Sequence, residues 1–89
     1  MAIEITLESG QNLTKKLNKG EVYLVHNCQF AQNVSNGKYT TVYYSTQEFS
    51  DTNIGFTLKK DDYVSENQGV DAYIRTFNDN AIVQLRGGE

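Results

Sequence analysis

Ile3, Ile5 and Leu7 alternate with Glu4 and Thr6, the period-two pattern of a half-buried strand, and Ser9-Gly10-Gln11-Asn12 follows as a turn. Leu13 to Leu17 predicts a second strand with exposed lysines, ended by Asn18-Lys19-Gly20. Glu21 to Val25 resumes a strand with Val22 and Leu24 on one face, and His26-Asn27-Cys28-Gln29 reads as a polar connector. Asn36-Gly37 suits the positive φ values of a tight hairpin, and the Tyr-, Thr- and Val-rich segment Lys38 to Tyr44 follows it. Ser45 to Asn53 is a polar corner with Phe49 as its single aromatic. Ile54, Phe56 and Leu58 then alternate with Gly55 and Thr57, and Lys59-Lys60-Asp61-Asp62 closes that strand. After a loop at Ser65 to Gly69, Val70, Ala72 and Ile74 alternate with Asp71, Tyr73 and Arg75, and Ala81 to Leu85 is the last strand. No window holds an apolar i, i+3, i+4, i+7 pattern over three turns, so any helix is a single turn. The chain has no proline, so strand edges must be protected by charge, twist or closure.

The order of signals repeats with an offset of about forty residues, the size of a small four-strand unit. Phe30-Ala31-Gln32-Asn33-Val34-Ser35 has its counterpart in Phe77-Asn78-Asp79-Asn80-Ala81-Ile82, and Leu17 to Tyr23 has its counterpart in Leu58 to Tyr63. About seven or eight short strands, with turn signals at regular spacing and a duplicated order, predict an all-β fold. The expected architecture is an antiparallel two-sheet sandwich of two Greek keys in a single domain, residues 1–40 and 41–86, with a short Gly-Gly tail at 87–89.

With these features the chain resembles the βγ-crystallin family, whose domains are two such keys. That family marks each key with an aromatic, a second aromatic five residues later and a glycine two beyond, at a folded hairpin. Its keys end in a Phe/Leu-Asn-Asp turn into the last strand. Tyr44 and Phe49 match the aromatic positions of the second key, and Phe77-Asn78-Asp79 matches its closing turn. Asp51 stands at the glycine position, and in the first key Glu8, Leu13 and Lys15 occupy the aromatic, aromatic and glycine positions.

The resemblance implies a calcium ion shared between the two closing turns, held by side-chain oxygens, carbonyls and a hydroxyl, as suits a hard cation with six to eight oxygen ligands. Carried over by position, the ligands are Gln32, Asn33 and Ser35 from the first turn and Asn78, Asp79 and Asn80 from the second. Ala31, Ile82 and Val83 stand where further oxygens belong. The implied site is therefore weak or lost. The alternative role for Asn78 and Asp79 is to hydrogen-bond the backbone of their own turn.

Composition narrows the chemistry. An 89-residue chain buries about two-thirds of its unfolded surface. Eight basic residues against eleven acidic ones give net charge −3 with no run of like charge, which argues against nucleic acid as a partner. No apolar run approaches the length of a membrane span, and the start of the chain has no signal-like segment, so a soluble, cytoplasmic protein is expected. Cys28 is the single cysteine, which precludes an intrachain disulfide or a Cys/His zinc framework. On an extended segment His26 and Cys28 face the same side, yet no third orienting group accompanies them. Asp61, Asp62 and Glu66 sit in loops without an apolar pocket to shift a pKa. No catalytic constellation results, and no cofactor is expected beyond weakly bound Ca2+.

Six tyrosines remain to be placed. Tyr39 and Tyr43 share one face of their strand, Val42 and Tyr44 the other; whichever set is not core, joined by Tyr73, is a candidate surface for a protein partner. The expected function is a non-enzymatic structural, stress-related or protein-interaction module. A second reading is a small acidic microbial or viral inhibitor that binds through the tyrosine-bearing face. A third is a ubiquitin-like modifier, since Leu85-Arg86-Gly87-Gly88 resembles the thin, flexible end of ubiquitin.

Overall fold

A computed structural model describes residues 2–30, the backbone of 33–34, and residues 40–58 and 68–89. Among these the strands are β1 (Ile3–Thr6), β2 (Asn12–Leu17), β3 (Val22–Gln29), β4 (Asn33–Val34), β5 (Val42–Ser45), β6 (Phe56–Leu58), β7 (Val70–Thr76) and β8 (Ala81–Gly87), and there is no helix. The all-β expectation holds. Hydrogen bonding runs through the order β2-β8-β3-β7-β5-β6, with β1 added beside β3 and β4 beside β8. The Asn36-Gly37 hairpin and the loop over Asp61, Asp62 and Glu66 lie outside the described residues.

Strand β3 joins the two wings of this arrangement. Its first half pairs with β7 on one side, Tyr23 opposite Ile74, and with β1 on the other, Tyr23 opposite Ile3. On the β1 side its last residues, Cys28 and Gln29, pair with Gly87 and Arg86 of β8, while Cys28 stays opposite Val70 of β7. The change of partner falls at a one-residue register shift between Val25 and Cys28, where Asn27 takes φ 58°. An extra residue in one strand bends it and raises its twist, which here turns β3 away from β1 and onto β8. The segment expected as a polar connector is thus the second half of a bulged strand. The pattern hid it because a bulge interrupts the two-residue alternation: Val25 is buried, and the next buried residue is Cys28.

The β1–β3 pair is parallel, whereas the other named pairs are antiparallel. Parallel neighbours need a long crossover, and residues 7–21 supply it by carrying β2 across to β8 before β3 returns beside β1. Lys15 and Lys16 lie on β2, whose described partner is β8 alone. Lysines on such an edge oppose pairing with another chain.

Both wings face one core. Leu17, Tyr23, Val25, Cys28, Val42, Leu58, Ala72, Ile74, Ala81, Val83 and Leu85 are all buried there, with Leu7 and Phe30. In β3 the core face is that of Tyr23 and Val25, while Val22 and Leu24 are half-buried on the outer side. Tyr23 is tolerated in this position because its hydroxyl accepts the Asn18 backbone N–H at 2.8 Å, leaving the buried ring without an unsatisfied polar end.

The end of the chain differs most from expectation. Arg86 and Gly87 belong to β8, and Gly87 and Gly88 are buried rather than forming a loose tail. Gly87 donates to the Gln11 carbonyl at 2.7 Å and accepts from Gly10 at 3.3 Å. Gly88 donates to the Asn27 carbonyl at 2.9 Å, and the Asn27 side-chain amide donates to the carbonyls of Leu7 (3.1 Å) and Gly88 (3.3 Å). The bulge residue therefore joins β3, Leu7 just after β1 and Gly88 just after β8.

A candidate functional site on the outer sheet face

Alternation places Tyr43 of β5, Tyr73 and Arg75 of β7, and Val22 and Leu24 of β3 on the face opposite the core. Register fixes their neighbours: Arg75 lies between Tyr43 and Val22, and Tyr73 between Ser45 and Leu24. Two further aromatics come from connecting segments. The corner after β5 folds back because the Asn53 amide donates to Ser45 Oγ at 3.0 Å and to the carbonyls of Gln47 (3.3 Å) and Glu48 (3.0 Å), while Ser50 and Asn53 bridge through their backbones. Phe49 is thereby laid over the sheet.

Gly55, at φ 84°, closes this corner, since a Cβ there would stand 2.6 Å from both Phe49 Cε1 and the Tyr44 carbonyl oxygen. The glycine that the aromatic hairpin requires is therefore Gly55. Asp51, which the resemblance sets at the glycine position, is not among the residues of positive φ. Phe77 is supplied by the β7–β8 turn and is 54 % exposed.

These side chains form a row. The Arg75 guanidinium carbon is 4.1 Å from the Phe49 ring centroid and 5.1 Å from that of Phe77. Phe49 meets Tyr73 edge-on at 6.4 Å, and Phe77 meets Tyr43 at 5.9 Å. Arg75 Nε is buried without a hydrogen-bond partner, and the guanidinium lies against two ring faces, each such contact contributing about 0.5–1 kcal/mol at exposed sites and ~2 kcal/mol when desolvated. Tyr43 and Tyr73, expected as contact residues, are thus on one face, and Tyr39 lies outside the described residues. Beyond Tyr73 the row opens into a cavity of about 460 Å3 lined by Ala2, Ile3, Gly20, Glu21, Val22, Glu48, Phe49 and Tyr73.

At the other end of β7 the same face carries a charged cluster. His26 Nε2 is 2.9 Å from Glu4 Oε1, and Nδ1 is 3.1 Å from Asp71 Oδ2. Asp71 also accepts the Asn27 N–H at 3.3 Å. A ring donating from both nitrogens is the charged imidazolium. Accordingly the hydrogen bond to Glu4, then that to Asp71, raises the His26 pKa above its ordinary 6.5. Asp71 is lowered from 3.8, first by the His26 bond and then by the Asn27 amide.

The sign of the pH dependence follows from these shifts. The His26 contribution to stability is complete below pH 6.5 and lost as pH rises through its raised pKa. The Asp71 contribution is complete above pH 3.8 and lost as pH falls through its lowered one. Thermal unfolding followed across pH is expected to show this cluster stabilising most between those values, with His26→Gln removing its share of the decline toward alkaline pH. An identical alkaline decline in His26→Gln would contradict the assignment.

His26 and Cys28 do not form a pair. The Asn27 bulge turns His26 outward and Cys28 into the core, so their expected common side is not observed. Burial pushes the Cys28 thiol up to about 12, and its S–H donates to the Gln29 carbonyl at 3.0 Å. A thiol held that way is not a nucleophile near neutral pH.

The proposed calcium ligands are placed only in part. Asn78, Asp79 and Asn80 are exposed in the β7–β8 turn, with Asn80 at φ 60°. That turn is capped by Thr76, whose hydroxyl accepts the Asn78 N–H at 3.1 Å and donates to the Thr41 carbonyl at 2.7 Å. Asn33 pairs through its backbone with Val83, and Val34 with Ile82, which brings the first closing segment beside the start of β8. Gln32 and Ser35 lie outside the described residues. Among the described residues no three His, Cys, Asp or Glu side chains converge as a metal site, and no helix is long and apolar enough to cross a membrane.

Comparison with protein-family models, with curated proteins and with solved structures gave no match to any of them. The two clusters that spacing alone did not reveal are Phe49–Arg75–Phe77 and Glu4–His26–Asp71. The available signal was the outward alternation of Asp71, Tyr73 and Arg75 along β7. What each meets depends on β1, β3 and a folded corner that are distant in sequence.

Proposed function

We propose that this protein is a non-enzymatic protein-interaction module whose binding surface is the outer face bearing Tyr43, Phe49, Tyr73, Arg75 and Phe77. The observation that carries the proposal is the buried, unpartnered Arg75 Nε within a row of rings that includes the 54 % exposed Phe77. Aromatic residues and arginine are the residue types that dominate binding energy at protein interfaces. The buried thiol and the doubly engaged imidazole favour a binding role over nucleophilic chemistry.

In this reading the fold is a βγ-crystallin-like sandwich of two Greek keys. Support comes from the folded Tyr44–Phe49–Gly55 corner and from two wings enclosing one core, while the continuous hydrogen-bonding order and the parallel β1–β3 pair depart from a purely antiparallel two-sheet scheme. Calcium binds weakly or not at all, and an unfolding midpoint already raised by micromolar calcium would contradict this, because a ligand specific to the native state stabilises by mass action. The flexible-tail reading of Gly87-Gly88 has no support from their hydrogen bonding within and beyond β8.

The test is affinity capture from the cells that express the protein, comparing wild type with Tyr43→Ala/Phe77→Ala and with Lys16→Ala on the far edge. Loss of the same partner from the double variant alone, at unchanged unfolding midpoint, is expected. Equal recovery by all three baits would remove the outer face from consideration.

A further inference from the structure

We propose that the cavity beyond Tyr73 accepts the side chain of a lysine carried by the protein partner. This rests on the interaction reading above and identifies the chemistry of one of its contacts. The walls are the rings of Phe49 and Tyr73 and the aliphatic side chains of Ile3 and Val22, and Glu21 and Glu48 stand at the same cavity. Its volume of about 460 Å3 leaves room for a lysine side chain.

A lysine side chain has the complementary form, with an apolar four-carbon stem to lie against rings and aliphatic groups and an ammonium at its end. Ring faces attract cations, and Phe49 already holds one in Arg75 at 4.1 Å. Glu21 and Glu48 set two negative charges against that single guanidinium. Neither forms an ion pair among the described residues. An acidic partner group would meet both carboxylates and be disfavoured, whereas an ammonium would be attracted by both. The protein's net charge of −3 favours approach of a basic segment in the same sense.

The test is an NMR titration of the full, isotopically labelled chain with Nα-acetyl-lysine methylamide at millimolar concentration. Nα-acetyl-norleucine methylamide, which has an uncharged stem, is the comparator. Saturable shifts centred on Val22, Phe49 and Tyr73 with the lysine compound are expected, together with a roughly tenfold weaker response in Glu21→Gln/Glu48→Gln at unchanged unfolding midpoint. Equal binding of norleucine, shifts scattered over the surface, no saturable response, or unaltered affinity in the double variant would each overturn the proposal.

The two readings fail separately. If the lysine compound gives no response while partner capture is still lost in Tyr43→Ala/Phe77→Ala, the lysine pocket is wrong and the binding face stands. If capture is indifferent to the face variants, the interaction reading fails whatever the titration shows.

Discussion

Replacing Gly87 with alanine is expected to destabilise the protein by about 3 kcal/mol or more, the upper end of what forced overpacking costs. The added Cβ would collide with the carbonyl oxygen of Glu8 and approach the Gln11 amide nitrogen to 3.3 Å. Both obstacles are backbone, so no side-chain rotation relieves them. Nor is Gly87 free to retreat, because its N–H is bonded to Gln11 at 2.7 Å and its carbonyl receives Gly10 at 3.3 Å. Gly10→Ala is the informative comparison. A Cβ at Gly10 meets nothing within 4 Å, but φ is 71°, and the cost there should be only the ~1–2 kcal/mol of a left-handed residue. Denaturant midpoints of the two variants measure the difference. A Gly87→Ala protein as stable as Gly10→Ala would mean that the chain's end is not seated as described.

Tyr23→Ala should be comparably damaging. The ring is 1 % exposed and sits in the β3 segment between β1 and β7, and truncating a large buried aromatic typically costs about 3–5 kcal/mol. The Asn18 N–H also loses its acceptor. For a small domain, whose stability is about 0.05–0.15 kcal/mol per residue, this is a large share of the total. Tyr23→Phe keeps the packing and removes only the hydrogen bond, so about 1 kcal/mol is expected. Urea titrations with an unchanged slope would separate the two. A wild-type midpoint for Tyr23→Ala would contradict the placement of the core face of β3.

That face illustrates what alternation conveys and what it omits. The strands over residues 3–6 and 70–76 and the 81–85 part of β8 were legible from alternating apolar positions, and residues 12–17 from Leu13 and Leu17, whereas the extension of β8 through Gly87 was not. In β3, however, both faces carry large residues, Val22 and Leu24 against Tyr23 and Val25, and period-two spacing says which residues share a face but not which face meets the core. Partners outside the segment decided it. Asn27 escaped notice for a related reason: an asparagine in a polar stretch reads as a loop, whereas here it is a bulge that redirects a continuing strand. Gly87 and Gly88 read as flexible by composition, although only residues without a side chain fit so close to Glu8 and Gly69.

The candidate site was legible in the same partial way. Alternation puts Tyr39 and Tyr43 on one face of their strand without deciding whether that face is core; the register of β5 against β7 is what joins Tyr43 to the face of Tyr73. Arg75 entered as an outward residue of β7 with no stated partner, since Phe49 reaches it only through the Asn53-ordered corner and Phe77 only through the turn capped by Thr76. The resemblance points to the closing turns by position, with Asn78, Asp79 and Asn80 in the second, yet it is the Thr76 hydroxyl that caps that turn.

The most direct test of the outer face as a binding surface is site-specific photo-cross-linking in the cells that express the protein. A benzophenone amino acid would be placed in turn at exposed Phe77 on the outer face and at exposed Thr14 on β2. The account predicts a discrete protein adduct from position 77 and none from position 14. Adducts from position 14 alone, or the same adduct from both, would contradict it.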